Sequence, residues 1–139
     1  MRTNQWLAEK LDELHRQYFS DITIPNTILV RFGRKSRQRF GSIISRPRSG
    51  YAQNVTYITI NALFRTEEVP EYVVQATLAH EFVHYLHGFH SPHRRLFMHP
   101  HRGDIVNKEL RHRGLGSILE QQETWIKNQY REFLKQNHP

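Results

Sequence analysis

LAHEFVHYLHGFH, residues 78–90, places four histidines in thirteen positions, and eight of the chain's ten histidines fall between His80 and His112. Within this stretch His80, Glu81 and His84 spell H-E-x-x-H. On a helix, residues four apart share a face, with Cβ atoms about 5–6 Å apart. Both imidazoles can then converge on one divalent cation at Zn–N distances of about 2.0–2.1 Å. Glu81 stands beside the first histidine and is expected to accept a proton from water rather than to coordinate. Helical character is therefore the premise of the whole reading, and the flanks supply it. In RTEEVPEYVVQATLAHEFVHYLHG, residues 65–88, Glu67 and Glu68 favour an N-terminus, Pro70 suits a first turn and Gly88 suits a stop. Val73, Val74, Leu78, Phe82 and Leu86 bury the helix behind the histidines.

Moving outward, Trp6, Leu7, Leu11, Leu14, Tyr18 and Phe19 recur at spacings of three and four, the stripe of an amphipathic helix. From Ile22 to Phe64 the pattern changes to short β-rich runs: TILVRF (27–32), RFGSIIS (39–45) and NVTYITIN (54–61). GRKSRQ and RPRSGYAQ separate them with turn chemistry. Beyond the histidine-rich connection, Ile105, Val106 and Leu110 mark a short helix between Gly103 and Gly114. Ile118, Leu119, Trp125, Ile126, Tyr130, Phe133 and Leu134 then form a stripe of about five turns. Helix, three strands, then helices is an α+β order, and the length predicts one domain over residues 1–139.

Lysine and arginine number 20 against 13 acids, a formal charge of +7, and the pI is about 10.1. An anionic partner such as DNA is expected from that balance. The chain has no cysteine, which excludes disulfides, thiolate metal sites and a cysteine nucleophile. No apolar run approaches the length of a membrane span, and the first residues lack a secretory signal pattern, so a cytoplasmic protein without a membrane partner is expected.

A catalytic zinc usually takes three protein ligands, so one more must join His80 and His84. His87 lies about 10 Å along the helix axis from His80 and cannot easily close a tetrahedron; it reads as a helix-end histidine facing the C-terminal dipole. His90 completes H-E-x-x-H-x-x-x-x-x-H, the metzincin spacing, although His87 occupies the position of that pattern's glycine. Glu109 represents the gluzincin alternative, and His99 is a further candidate.

The order RFGSI, YITIN, VPEYVVQATLAHEFVH and PHRGDIVNKELRHRGLG, spanning roughly residues 32–116, resembles the SprT-like, or Spartan-type, zinc peptidase domain. In that family a third histidine follows the helix after a variable loop, in an H-G-x-x-[FW] context closed by Leu-Gly. His101 matches that position, with Ile105 at the apolar place and Leu115–Gly116 beyond; Arg102 stands where the glycine would be. The resemblance thus implies a small zincin-like domain with Zn2+ on His80, His84 and His101, and Glu81 as general base. It further implies a protein or peptide substrate held along the strand TYITIN, and activity on DNA-associated proteins. No residue is assigned to stabilising the oxyanion, although Tyr51, Tyr85 and Arg95 are conceivable.

RFGRKSRQRFG, residues 31–41, sets Arg34, Lys35, Arg37 and Arg39 about an expected hairpin, where they are candidates for nucleic-acid contact. Phe32 and Phe40 read as core residues. His15, His93, His112 and His138 read as surface histidines. The competing class is a non-catalytic module in which zinc only stabilises a nucleic-acid- or protein-binding surface; a fourth protein ligand would mark it.

Overall fold

The computed structural model describes residues 1–137, so His138 lies outside the described residues. Its helices are α1 (Asn4–Tyr18), α2 (Glu71–Leu86), α3 (Ile105–His112), α4 (Gly116–Asn128) and α5 (Tyr130–Asn137). Between α1 and α2 lie the strands β1 (Ile28–Phe32), β2 (Gly41–Arg46) and β3 (Val55–Ile60), which gives the α+β class expected. No helix among the described residues is long and apolar enough to cross a membrane.

Twelve of the sixteen residues of α2 are buried, so packing rather than an amphipathic surface fixes this helix. It starts at Glu71, with Pro70 just outside, so Glu67 and Glu68 belong to the preceding turn rather than to the first helical turn. Its end is a Schellman arrangement: the Gly88 N–H donates to Tyr85 O and the Phe89 N–H to His84 O. Gly88 adopts φ 87°, a left-handed conformation that favours glycine.

The sheet order is β1-β3-β2, with β1 parallel and β2 antiparallel to β3. This corrects the hairpin expected across residues 33–40, because β1 and β2 are not neighbours. The segment instead crosses the end of β3, where the buried Asn61 side chain pins it. Asn61 Nδ2 donates to Ser36 O and Arg39 O, while its Oδ1 accepts from the Ser36 and Leu63 N–H groups. Val55, Ile58 and Ile60 of β3 are fully enclosed, as expected of a central strand.

α1 buries Leu7, Leu11 and Leu14, and the Thr3 hydroxyl caps its N-terminus by accepting from Trp6 N. Phe32 and Phe40 pack against the core, Phe40 edge-on to Phe64 at 4.8 Å between centroids. The long C-terminal stripe is two helices, since Gln129 leaves helical geometry at φ −129° and reorients Tyr130 towards Phe40. Arg113, just after α3, grips Asp21 through both guanidinium Nη atoms at 2.7 and 3.0 Å, donates from Nε to Glu109 at 2.8 Å, and lies over the Phe19 ring. Bidentate geometry makes this one of the stronger ion pairs available to a protein.

Candidate metal centre

α2 presents His80 and His84 on one face, one turn apart, with ring centroids 4.8 Å from each other. The chain then runs out and back through residues 87–101, and His101 arrives just before the 3-10 turn Arg102–Asp104, its ring 4.7 Å from that of His84. One ring nitrogen from each of His80, His84 and His101 lies within 4.8 Å of the others. Tetrahedral zinc at about 2.1 Å from each nitrogen requires separations of about 3.4 Å. A modest inward movement by the exposed His101 side chain suits that requirement.

The remaining candidates stand elsewhere. His90 lines the cleft but is exposed, adopts φ 55°, and lies outside the triad. His99 is exposed and also outside it. Glu109 is committed to Arg113, and its other oxygen meets His87 Nε2 at 3.3 Å. His87 is more than a helix-end histidine, because it is almost fully buried, against Glu109 and the Phe97 ring. Among the expected surface histidines, His112 is exposed, whereas His15 is half-buried, with Nε2 2.7 Å from Ile22 O and its ring edge-on to Phe82. His93 is also half-buried, near Thr23 O and the Tyr85 ring, so neither is a free surface residue.

The donor set fits a metal in protonation as well as placement. Burial pushes His80 down to about 4, helped by repulsion from His101. Burial pushes His84 down to about 3, with the neighbouring histidines adding to it. Both imidazoles are therefore neutral near pH 7, the form that binds metals. His84 Nδ1 is buried with no hydrogen-bond partner among the described residues, a state that costs about 1–3 kcal/mol unless a ligand or water relieves it.

Glu81 is 6% exposed and is absent from the ligand triad. Burial raises its carboxyl to about 7, opposed by the Arg39 guanidinium. Such a group exchanges a proton near neutrality. Gly41 of β2 passes directly over it: a Cβ there would meet Thr77 Cγ2 at 2.8 Å and Glu81 Oε2 at 3.3 Å. Gln122 of α4 ties this wall together by donating to Val73 O and Thr77 Oγ1, each at 3.0 Å. Gly41, Thr77 and Gln122 were not singled out from sequence. An isolated glycine inside a strand signals close backbone approach, so Gly41 carried a readable sign, whereas Gln122 carried none.

These groups face a cleft of about 810 Å³, lined by residues 38–43 on one side and by Phe89, His90, Pro100 and His101 on the other. The size suits a peptide segment or small ligand. The strand bordering it is β2, not the expected TYITIN of β3, which has partners on both sides. Because Asn61 N donates to Phe40 O, the alternation of an antiparallel ladder turns the main-chain groups of Gly41 and Ile43 away from β3. Tyr51, Tyr85 and Arg95 do not line the cleft; the Tyr85 hydroxyl donates instead to Asn26 Oδ1.

Arg34, Lys35, Arg37 and Arg39 are all exposed, and among the described residues none forms an ion pair. No family model matches the chain, and neither a curated protein nor a solved structure matches it.

Proposed function

We propose that this chain is a zinc-dependent peptidase domain of the SprT-like kind, hydrolysing peptide bonds in the cleft above α2. The observation that carries the reading is the joint placement of three imidazoles and one enclosed, non-ligating carboxylate at the floor of an open cleft. His80, His84 and His101 would hold the ion, which when bound supplies Lewis acidity and brings water's pKa towards 7. Glu81 accepts the proton of the attacking water and delivers it to the leaving amine, a task matched by its pKa of about 7. The outward main-chain groups of Gly41 and Ile43 offer an extended peptide a strand to pair with.

The adaptor alternative needs a fourth protein ligand, and the cluster contains three groups among the described residues. Association with DNA is a second element of the proposal, favoured by Arg34, Lys35 and Arg37, which are exposed and without acidic partners. The decisive experiment compares zinc-loaded parent and Glu81→Gln on an unfolded protein such as casein, with and without chelator. We expect about one zinc per chain in both proteins and at least a hundredfold loss of hydrolysis in the variant. Equal rates in the two proteins, or activity that survives chelation, would reject the assignment.

A further inference from the structure

We propose that Arg39 forms a carboxylate-recognition subsite at the basic end of the cleft, so that the preferred ligand is an extended peptide carrying an acidic group. The proposal rests on the peptidase reading and gives that site a substrate class.

The charge inventory of the cleft is lopsided. Of its lining residues, Arg39 is the sole arginine or lysine and Glu81 the sole acid. Glu81 lies at the floor, enclosed against Thr77 and Gly41, whereas Arg39 is exposed at the rim. Arg39 makes no ion pair among the described residues; its charge is felt at a distance by the Glu81 carboxyl, but its guanidinium hydrogen-bonds no internal carboxylate and stays open to a ligand. Its backbone, by contrast, is held at both ends: the N–H donates to Ser36 Oγ at 3.1 Å, and the carbonyl accepts from Asn61 Nδ2 at 3.0 Å. The next residue, Phe40, is fixed between Phe64 and Tyr130. A free cationic head on an anchored stem is the arrangement that gives charge selectivity without a large ordering cost.

Arg39 lies two residues before β2 begins at Gly41 and lines the same cleft, so it stands at most about 7 Å along the chain from the strand. A peptide paired with the outward groups of Gly41 and Ile43 therefore has a side chain or a chain terminus within reach of the guanidinium. Acidic groups are thus favoured at the end of the bound segment that meets Arg39. Arg34 and Lys35, which share a smaller adjoining groove with Arg39, raise the local positive potential without entering the cleft lining.

The test measures binding rather than turnover. Fluorescent peptides of one length carry Glu, Gln or Lys at a scanned position, each with a free or amidated C-terminus. Affinity is read by anisotropy against zinc-loaded Glu81→Gln, and against the same protein carrying Arg39→Gln or Arg39→Glu. At one position the Glu peptide is expected to bind about tenfold more tightly than the Lys peptide, the swing from attraction to repulsion at a partly solvated pair. Arg39→Gln should flatten that ratio and Arg39→Glu invert it, with zinc content unchanged. A preference confined to free-acid peptides identifies the chain terminus as the recognised carboxylate, and one that survives amidation identifies a side chain. A ratio near one in the Arg39 protein, or a ratio that Arg39→Glu leaves intact, overturns the proposal. So does a result in which Arg39→Glu weakens only binding of a single-stranded oligonucleotide, which would assign the residue to phosphate. If the zinc-loaded parent hydrolyses none of the peptides while the binding ratio persists, the peptidase reading fails and the carboxylate subsite stands.

Discussion

Glu81 and His84 are three positions apart on α2 and have opposite proton preferences. Enclosure holds the carboxyl at about 7 and the imidazole at about 3, both away from charge. The sign of each contribution follows from linkage. In the metal-free protein the histidine contribution to stability is present above an unfolded pKa of about 6.5 and is lost as pH falls towards the folded values. The Glu81 contribution is complete below an unfolded pKa of about 4.5 and is lost as pH rises through 7. Glu81→Gln removes only the second. In the presence of chelator we therefore expect the variant to be more stable than the parent by about 3 kcal/mol at pH 8 and by about 1 kcal/mol or less at pH 5. Thermal melts at the two pH values measure this; a stability difference independent of pH would mean that Glu81 is not enclosed as described. Arg39 is the other residue whose role depends on position more than type, since Arg34, Lys35 and Arg37 look identical to it in sequence but do not line the cleft.

The segment from Gly88 to His101 decides whether the third histidine reaches the other two. A Cβ on Gly88 would meet Arg94 O, Arg95 Cα and Arg95 N, each at 2.5 Å, so the returning chain lies flat against the helix end. Leu96 N donating to His87 O and Ser91 Oγ donating to Tyr85 O hold it there. Gly88→Ala combines a left-handed backbone with that clash. It should cost about 2–3 kcal/mol of stability and weaken zinc binding about tenfold or more by displacing His101. Competition with a calibrated chelator reads the second effect; unchanged zinc affinity would show that the segment does not position the ligand. This element also marks the boundary of what the sequence discloses. His80 and His84 were legible because one helical turn relates them, a local period written in the residues. His101 was reachable only through resemblance, since no local rule states where a fifteen-residue excursion returns. The three strands were legible from composition, but their order was not: β1 pairs with β3 across a gap spanning β2, and turn chemistry between β1 and β2 suggested a hairpin that long-range packing overrode. The break at Gln129 was equally silent, because neither glycine nor proline announces it.

At the scale of the whole molecule, charge is the feature that reaches furthest. An excess of +7, with Arg34, Lys35 and Arg37 exposed beside the cleft, predicts single-stranded DNA binding that weakens steeply as salt increases. Replacing those three with alanine should lower the slope of log K against log salt by about 2, at about 0.7 per phosphate contact. A flat salt response in the parent would count against phosphate contacts altogether. The parallel pairing of β1 with β3 has a consequence of another kind, for the order of assembly. During synthesis β1 leaves the ribosome well before β3, the partner that must satisfy its ladder, and β2 emerges between them without pairing to it. In the folded protein α1 packs on β1, and the Asn4 side chain accepts the Phe32 N–H at 2.9 Å. If that pairing forms early, the opening helix would act as a nascent-chain escort for an otherwise bare strand, with the cleft gaining its floor only when β3 and α2 follow.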